Sequence, residues 1–583
     1  MIFVWDYEFS HPPREVWRLV ADTDQLYRSL GFPAVEFTHE PDHRGGMIRF
    51  GSFRYFGLKF LWREQAYEFI RNRFFQVDRN FESGPLNTLR SQWRIFETPY
   101  GCRLQTTFHA EASVSLYQLP VGLYFQFILK RRMFRVYRGL ARYLEGKSDA
   151  PYPRNSGERT VEGRTARMRL AARFAAEGVA QDLAEVLSGY VLTGPFREVS
   201  RMRPAELARR WNHEENDIFR ALLKLTRKHY LRLYFELLCA SCRRPLGHGR
   251  RLSEMPLQGY CEICNEMSIP HLQDTLHVSF APTPSLRFTQ VPTHCIGGPG
   301  NIPHYEAQLL LQSETNRAIE LILPAGKYRM RSPHSSRTYA IIVSDEHGTV
   351  ERPLCSFPPP GDPRPGAVIP DFGSGRVGLF LRNEMYLEIL SILEDTALRP
   401  DDLPALHVLA RQDFYELFPT TLPRGDSEMP AGVLTLVVIS GAEDPEAILD
   451  IVRERNGRLM DPASSETLAV FVRSADAMAA ALELRQQALD GRSSGPRVAI
   501  HPGQVFAVNE GERLDFRGRT VDIVARLNRE CRAGEILFTV PVLKDRNVRS
   551  VLKAAGVAGF ARGEVSIPQF DRPLPVFRLA LSS

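Results

Sequence analysis

The spacing of apolar residues along the chain changes period several times, and each change predicts a different element. Near the start, PPREVWRLVADTDQLYRSLG places Val16, Trp17, Leu19 and Val20 on one helical face behind Pro12 and Pro13, where proline opens a helix. The runs GMIRFGSFRYFGLKFLWREQAYEFI and RLQTTFHAEASVSL then alternate apolar and polar positions, predicting twisted antiparallel strands. A long helix is predicted near 117–145. Its first part, VSLYQLPVGLYFQFIL at 114–129, is strongly apolar and runs into Lys130, Arg131 and Arg132. A core-facing helix is the plainer reading of this stretch, and an amphipathic segment lying on a membrane surface is the alternative.

Helical periodicity returns over 164–235, where Leu207, Ala208 and Trp211 share one turn and Ile218, Ala221, Leu222 and Leu225 another. Two short helices followed by the strand-like YLRLYF give this region a winged-helix-like pattern. Residues 270–356 alternate in strand fashion and predict a small β-rich domain, while 376–420 reads as a connector of one strand and short helices. From 431 to 583 strands and helices alternate, beginning with the buried run VLTLVVIS, which is the pattern of an α/β sandwich with a mixed sheet. Polar or proline-rich breaks at 146–163, 357–375 and 420–431 separate these blocks. The fold class is therefore multidomain α+β.

Composition narrows the classes. At 583 residues the chain needs several cores, and 43% apolar with 24% charged residues excludes global disorder, collagen-like repeats and a membrane-embedded bundle. The net charge of +6 permits an anionic partner without demanding one. Arg203, Arg209, Arg210, Arg220, Lys224, Arg227 and Lys228 crowd the helical region; a solvated basic face is the plainer reading, and nucleic acid is not the expected partner. The opening MIFVWDYEFSHPP lacks a secretory pattern, and no stretch reaches the ~20 apolar residues that cross a bilayer. A cytoplasmic protein is expected.

Four of the eight cysteines carry the most specific spacing in the chain: Cys239 and Cys242, then Cys261 and Cys264. Two CxxC pairs separated by a loop supply four thiolates for one tetrahedral ion, so residues 236–268 are expected to form a zinc ribbon. A closed four-sulfur shell leaves no position for water, so this zinc would be structural. Cys102, Cys295, Cys355 and Cys531 have no partner spacing and read as small core residues.

Two resemblances join these patterns to known families. Residues 1–148, with strand, short helix, strands and long closing helix, resemble the START-like (SRPBCC) helix-grip fold. That resemblance implies an apolar cavity and a small apolar molecule or lipid as ligand, with Phe50, Phe53, Phe56, Phe60 and Trp62 either lining it or filling a core. Residues 431–583 resemble the class III adenylate/guanylate cyclase domain on NGRLM and TLAVF within 456–471, RVAIHPGQV at 497–505, DFRGRTVDIVARL at 515–527 and AGEIL at 533–537. The stretch HVLARQDFYELF at 407–418 resembles the short helix that precedes such domains in many bacterial cyclases. The whole chain thus looks like bacterial cyclases with START-like and zinc-ribbon regions upstream.

The cyclase resemblance implies two metal ions held by two aspartates. The first aspartate of the family's D-I-x-G motif is here Val438, followed by Ile439, Ser440 and Gly441; the second falls at Ser465, and the base-reading lysine at Asp461. The V-N-x-A-A-R-L pattern is matched by Val521 to Leu527, which puts Arg526 at the transition-state arginine and Asp522 in place of the ribose-orienting asparagine. Asp515 matches the purine-reading acid. Both metal carboxylates are lost and the arginine is kept, so the expected role is a sensor, scaffold or regulatory subunit with an inactive cyclase domain. Family active sites form between two such domains, which implies a homodimer or a partner chain carrying the missing aspartates. An active or heterodimer-dependent adenylate cyclase using Mg²⁺ or Mn²⁺ is the first alternative. A DNA-binding regulator working through the winged-helix-like and zinc-ribbon regions is the second.

Overall fold

The computed structural model describes all residues except 42–46, 149–150, 153–163, 195, 242, 262–265, 288–293, 296, 303, 345–351, 360, 363–365, 374, 397–401, 420, 422–427, 443, 461–465, 490–494, 511–512, 558, 568–571 and 580–583. It is a mixed α/β structure with several sheets, divided into two compact units. One comprises Met1–Glu162, Cys261–Glu266 and Gln290–Arg399; the other comprises Gly163–Tyr260, Met267–Thr289 and Pro400–Ser583.

In the first unit, strand Ile2–Phe9 pairs antiparallel with Gly101–Ala112, which continues through Leu86–Thr98 to Phe74–Ser83. Helix Pro13–Val20 buries Val16, Trp17 and Val20, as its spacing predicts, and Trp17 meets Phe75 edge-on at 5.6 Å between centroids. A continuous helical segment closes the sheet: Gln118–Leu123, a wide π turn over Tyr124–Leu129, and Lys130–Leu144. Its inner face buries Val121, Phe125, Leu129, Met133, Val136, Tyr137 and Leu140. The polar tip of Tyr137 is satisfied there, since Trp93 Nε1 donates to its hydroxyl at 3.0 Å and Thr106 Oγ1 lies at 2.7 Å.

The same sheet continues beyond residue 300. Strand Tyr305–Leu311 pairs with Glu68–Ile70 on one side and with Ile389–Asp395 on the other. A separate sheet of Asn316–Leu323, Gly375–Asn383 and Leu354–Phe357 shares an apolar core with it through Leu309, Leu321, Ile341 and Leu379. The proline-rich break at 357–375 is not wholly irregular, because Ala367–Gly373 forms a strand that pairs parallel with Tyr339–Ser344. This strand ends the sheet, and at an edge the missing N–H of Pro370 breaks no ladder.

The second unit begins with helices Arg164–Ala176, Gln181–Thr193, Phe196–Val199, Pro204–Trp211 and Glu215–Arg227. Asn212, in the left-handed region at φ 55°, ends the fourth of these. Strands Pro245–Gly249, Leu231–Leu238 and Leu276–Pro282 follow as a small antiparallel sheet.

The C-terminal sheet is built around Met429–Ser440, which pairs antiparallel with both Glu466–Phe471 and Arg497–Glu510. Arg497–Glu510 runs parallel to Ile536–Thr539, so the sheet is mixed, as the alternation of strands and helices predicts. Period two decides which way each residue faces. Val437 and Ile439 join one core with Ile448 and Met478 from helices Pro445–Glu454 and Ser474–Leu489. Leu434, Leu436 and Val438 face the other way. They belong to a core that contains Ile523, Val524 and Leu527 of helix Arg519–Arg529, residues 405–414, and much of the helical region from Leu170 onward.

Candidate functional site

Strands Met47–Tyr55, Leu58–Glu64 and Phe74–Ser83, with the helical segment at 117–129, line a cavity of about 380 Å³. Of the five aromatics singled out in the sequence, Phe53, Phe56, Phe60 and Trp62 line it. Trp62 lies flat across Gly51, where a Cβ would come within 2.3 Å of the indole, so the ring's place depends on that glycine.

Among the described residues that line the cavity, Arg79 has the only permanently charged side chain. It is buried, and its Nε donates to Glu64 Oε2 at 2.9 Å, its Nη2 to Tyr67 OH at 3.1 Å and its Nη1 to Tyr27 OH at 3.4 Å. The other oxygen of Glu64 accepts from Arg49 Nη1 at 3.3 Å. Burial pushes both tyrosine hydroxyls up, so they stay neutral beside the guanidinium. The sequence reading did not pick out this cluster. Its signal was parity: Glu64 follows Trp62, and Arg79 follows Phe75 and Val77, at inward positions of their strands.

In the C-terminal sheet Val438 is buried between Leu468 and Ala499 in register. Asn528, fully buried on the inner face of its helix, donates through Nδ2 to Val438 O at 2.8 Å and to Arg497 O at 3.1 Å, while Ser440 Oγ donates to its Oδ1. Helix Arg519–Arg529 is thereby bolted to strand Met429–Ser440 beside Val438. Asp522 and Arg526 lie on the helix's opposite, exposed face, one turn apart, and Arg526 pairs with Glu530 at 3.0 Å. Asp515 lies half-buried on the hairpin strand Arg513–Arg517, and burial raises its carboxyl. Asp461 and Ser465 lie outside the described residues.

The sequence reading also missed Arg458. It is buried and donates to Leu409 O at 3.3 Å and to Leu514 O at 2.8 Å, with its guanidinium 3.9 Å above the Tyr415 ring. Burial lowers its pKa to about 10. With Gln412 N donating to Gly457 O at 2.9 Å, it fastens the stretch at 407–418 to the C-terminal sheet.

Cys239 and Cys261 are buried, and Cys242 and Cys264 lie outside the described residues. Cys239 opens a tight turn: its N donates to Arg244 O and Arg243 N donates to Cys239 O, with Arg243 at φ 56°. The second pair is bracketed by the paired strands Gly259–Cys261 and Glu266–Ser268. Cys102, Cys295, Cys355 and Cys531 are all buried. Among the basic residues of the helical region, Arg203 pairs with Asp402, Arg210 with Glu198, Arg220 with Asp413 and Lys228 with Glu177. These cations are answered within the chain.

Residues 168–312 match a family of unknown function, DUF5939. No curated protein matches the chain. Its solved structural neighbours include cyclases: adenylyl cyclase CyaB from P. aeruginosa is 18% identical at a TM-score of 0.21, over 27% of this chain and 97% of that one. The adenylate/guanylate cyclase/hydrolase from Silicibacter pomeroyi is 17% identical at 0.22, over 26% and 98%. The Mll3558 protein from Rhizobium loti is 15% identical at 0.19, over 23% and 94%.

His501 lies opposite Leu436, and its Nδ1 is 3.0 Å from Thr539 Oγ1. Burial lowers its pKa from 6.5 to about 4, so the folded chain keeps it neutral where the unfolded chain protonates it. The unfolded state then binds more protons between these values, and stability falls as pH drops through that window. The apparent Tm of the full chain is expected to fall from pH 6.5 to 4, and His501→Gln to make that fall shallower, by up to about 1.4 kcal/mol per pH unit. Identical slopes in the two proteins would exclude this role for His501.

Proposed function

We propose that the chain is a sensing and regulatory protein of the nucleotide-cyclase type. Its N-terminal block binds an apolar molecule, and its C-terminal block no longer performs two-metal catalysis. The observation that carries the second part is the surroundings of Val438. The strand face on which an aspartate would hold metal is occupied by leucine, isoleucine and valine of one continuous core. Oxygen-rich Mg²⁺ and Mn²⁺ sites need carboxylates, and neither Val438 nor Ser465, the positions that the resemblance assigns to the two ligands, supplies one, so these residues do not fit the ions. The acid at Asp522 adds negative charge on the exposed helix face where a triphosphate would have to approach. The 380 Å³ apolar cavity supports the first part.

One observation favours a second reading. Arg526 is exposed, its side chain 44% accessible, and so remains within reach of another chain that carries the two aspartates. The basic face of the helical region gives DNA binding little support, because several of its cations are already in ion pairs.

The purified full chain, given ATP or GTP with Mg²⁺ or Mn²⁺, is expected to form no cyclic nucleotide above a protein-free blank. The Arg526→Ala variant should be indistinguishable from it. Product that disappears in Arg526→Ala would overturn the inactive-domain reading.

Cys239, Cys242, Cys261 and Cys264 are proposed to hold one structural zinc, which contributes folding energy and no catalysis. Elemental analysis of the purified chain is expected to return one zinc per chain, lost in Cys239→Ser/Cys261→Ser along with a lowered Tm. A zinc-free preparation with an unchanged melting curve in that variant would refute the site.

A further inference from the structure

We propose that the N-terminal cavity holds a single-chain amphiphile with an anionic head, its hydrocarbon tail among the aromatic rings and its head at Arg79. The proposal rests on the apolar-ligand reading above and adds the ligand's class. The tail's surroundings are Phe53, Phe60, Phe81, Leu89, Phe108 and Phe125, none of which offers a hydrogen bond. The head's position follows from a count of charge. Arg49 and Arg79 share one carboxylate, Glu64, whose side chain is 1% exposed, and the adjoining Tyr27 and Tyr67 are held neutral. Among the described residues the cluster therefore keeps one positive charge, and Arg79 is its member at the cavity wall. Of the five N–H donors of that guanidinium, three are engaged. Buried charge is stabilised when it is paired, and an anion entering the cavity supplies the second negative charge.

Calorimetric titration of the full chain with decanoate, dodecanoate and dodecanol, below their aggregation limits, tests this. Dodecanoate is expected to bind at least tenfold more tightly than dodecanol, and each added methylene of the carboxylates to tighten binding about fourfold. Arg79→Met/Glu64→Gln should bring dodecanoate down to the level of dodecanol. Equal binding of the two by the native chain would overturn the anionic head and leave the apolar cavity standing. No binding of any probe would overturn both. If the double variant fails to fold, Leu89→Trp narrows the cavity and leaves the ion cluster intact; undiminished dodecanoate binding there would also overturn the site.

A different observation concerns the outer face of the helical segment that closes this cavity. Leu116, Leu119, Leu123 and Phe127 recur at three- and four-residue spacing and are exposed, Leu116 by 81% and Phe127 by 64%. The same stripe continues as Arg131, Arg135, Arg138 and Arg142, all exposed and, among the described residues, without an ion-pair partner. We infer that this stripe docks on an anionic lipid bilayer. Contiguous exposed leucine and phenylalanine mark an interaction surface. The run of arginines beside them complements lipid phosphates, the combination by which amphipathic helices lie in the headgroup layer. Co-sedimentation of the full chain with phosphatidylcholine vesicles is expected to rise severalfold when phosphatidylglycerol is included and to fall with added salt. Leu119→Asp/Phe127→Asp should abolish it while leaving the circular dichroism spectrum unchanged. Binding indifferent to anionic lipid, or a concentration-dependent dimer that these substitutions disperse, would overturn the inference; the latter would identify the stripe as a contact between copies of the chain.

Discussion

Burial on both faces of strand Met429–Ser440 is the constraint on which the C-terminal block depends. A strand covered on both sides admits polar groups only where each has a partner, because an unpaired one costs about 1–3 kcal/mol or more. The consequences are visible residue by residue. Thr435 meets Ser474 Oγ at 2.8 Å, and Ser440 meets Asn528. Val438, between them on the opposite face from Thr435, is buried in the apolar core with the Asn528 amide on its backbone oxygen. Asn528 completes the arrangement by answering two carbonyls and one hydroxyl from a single side chain. An aspartate in place of Val438 would bring an unpaired charge into that packing.

The N-terminal cavity follows the opposite rule with the same energetics. There, Glu64 and Arg79 occupy inward positions that apolar residues would otherwise fill, and each is tolerated because the other is present. The pairing is closed on Glu64, whose two oxygens face Arg79 and Arg49, and open on Arg79. A wholly structural ion pair needs only matching numbers of charges. Here two guanidinium groups share one carboxylate beside an apolar space, with Arg79 among the residues that line it.

Much of the architecture was legible because alternation and helical spacing report burial directly. Val16, Trp17 and Val20, and the run at 434–440, are buried as their spacing predicts. What was not legible depends on residues distant in sequence. The pairing of Glu68–Ile70 with Tyr305–Leu311 joins segments more than 200 residues apart, and no local pattern encodes it. Asn528 and Arg458 look like ordinary polar residues on a helix and a short strand; only the fold reveals that they answer carbonyls of Val438, Leu409 and Leu514. At the candidate site, the burial of the strand around Val438 could be read from its apolar run, whereas the amide of Asn528 that reaches its carbonyl could not. The proline-rich break concealed a strand because proline excludes central strands and not edges.

The helical stretch at 114–129 has one face in the core and the other exposed. Val121, Phe125 and Leu129 are buried, while Leu116, Leu119, Leu123 and Phe127 are exposed. A helix apolar all round normally lies deep in a core. Here one face closes a cavity, and the face that would contact further protein is left bare until arginine replaces leucine on the same stripe. The π turn over Tyr124–Leu129 shifts the phase of the helix by about one residue between the two halves. The inward face thereby stays in register with the sheet through Met133 and Tyr137 as the outward face passes from apolar to basic. The wall of the cavity and the exposed stripe are thus two faces of one element, and a substitution confined to the outer face leaves the inner packing in place.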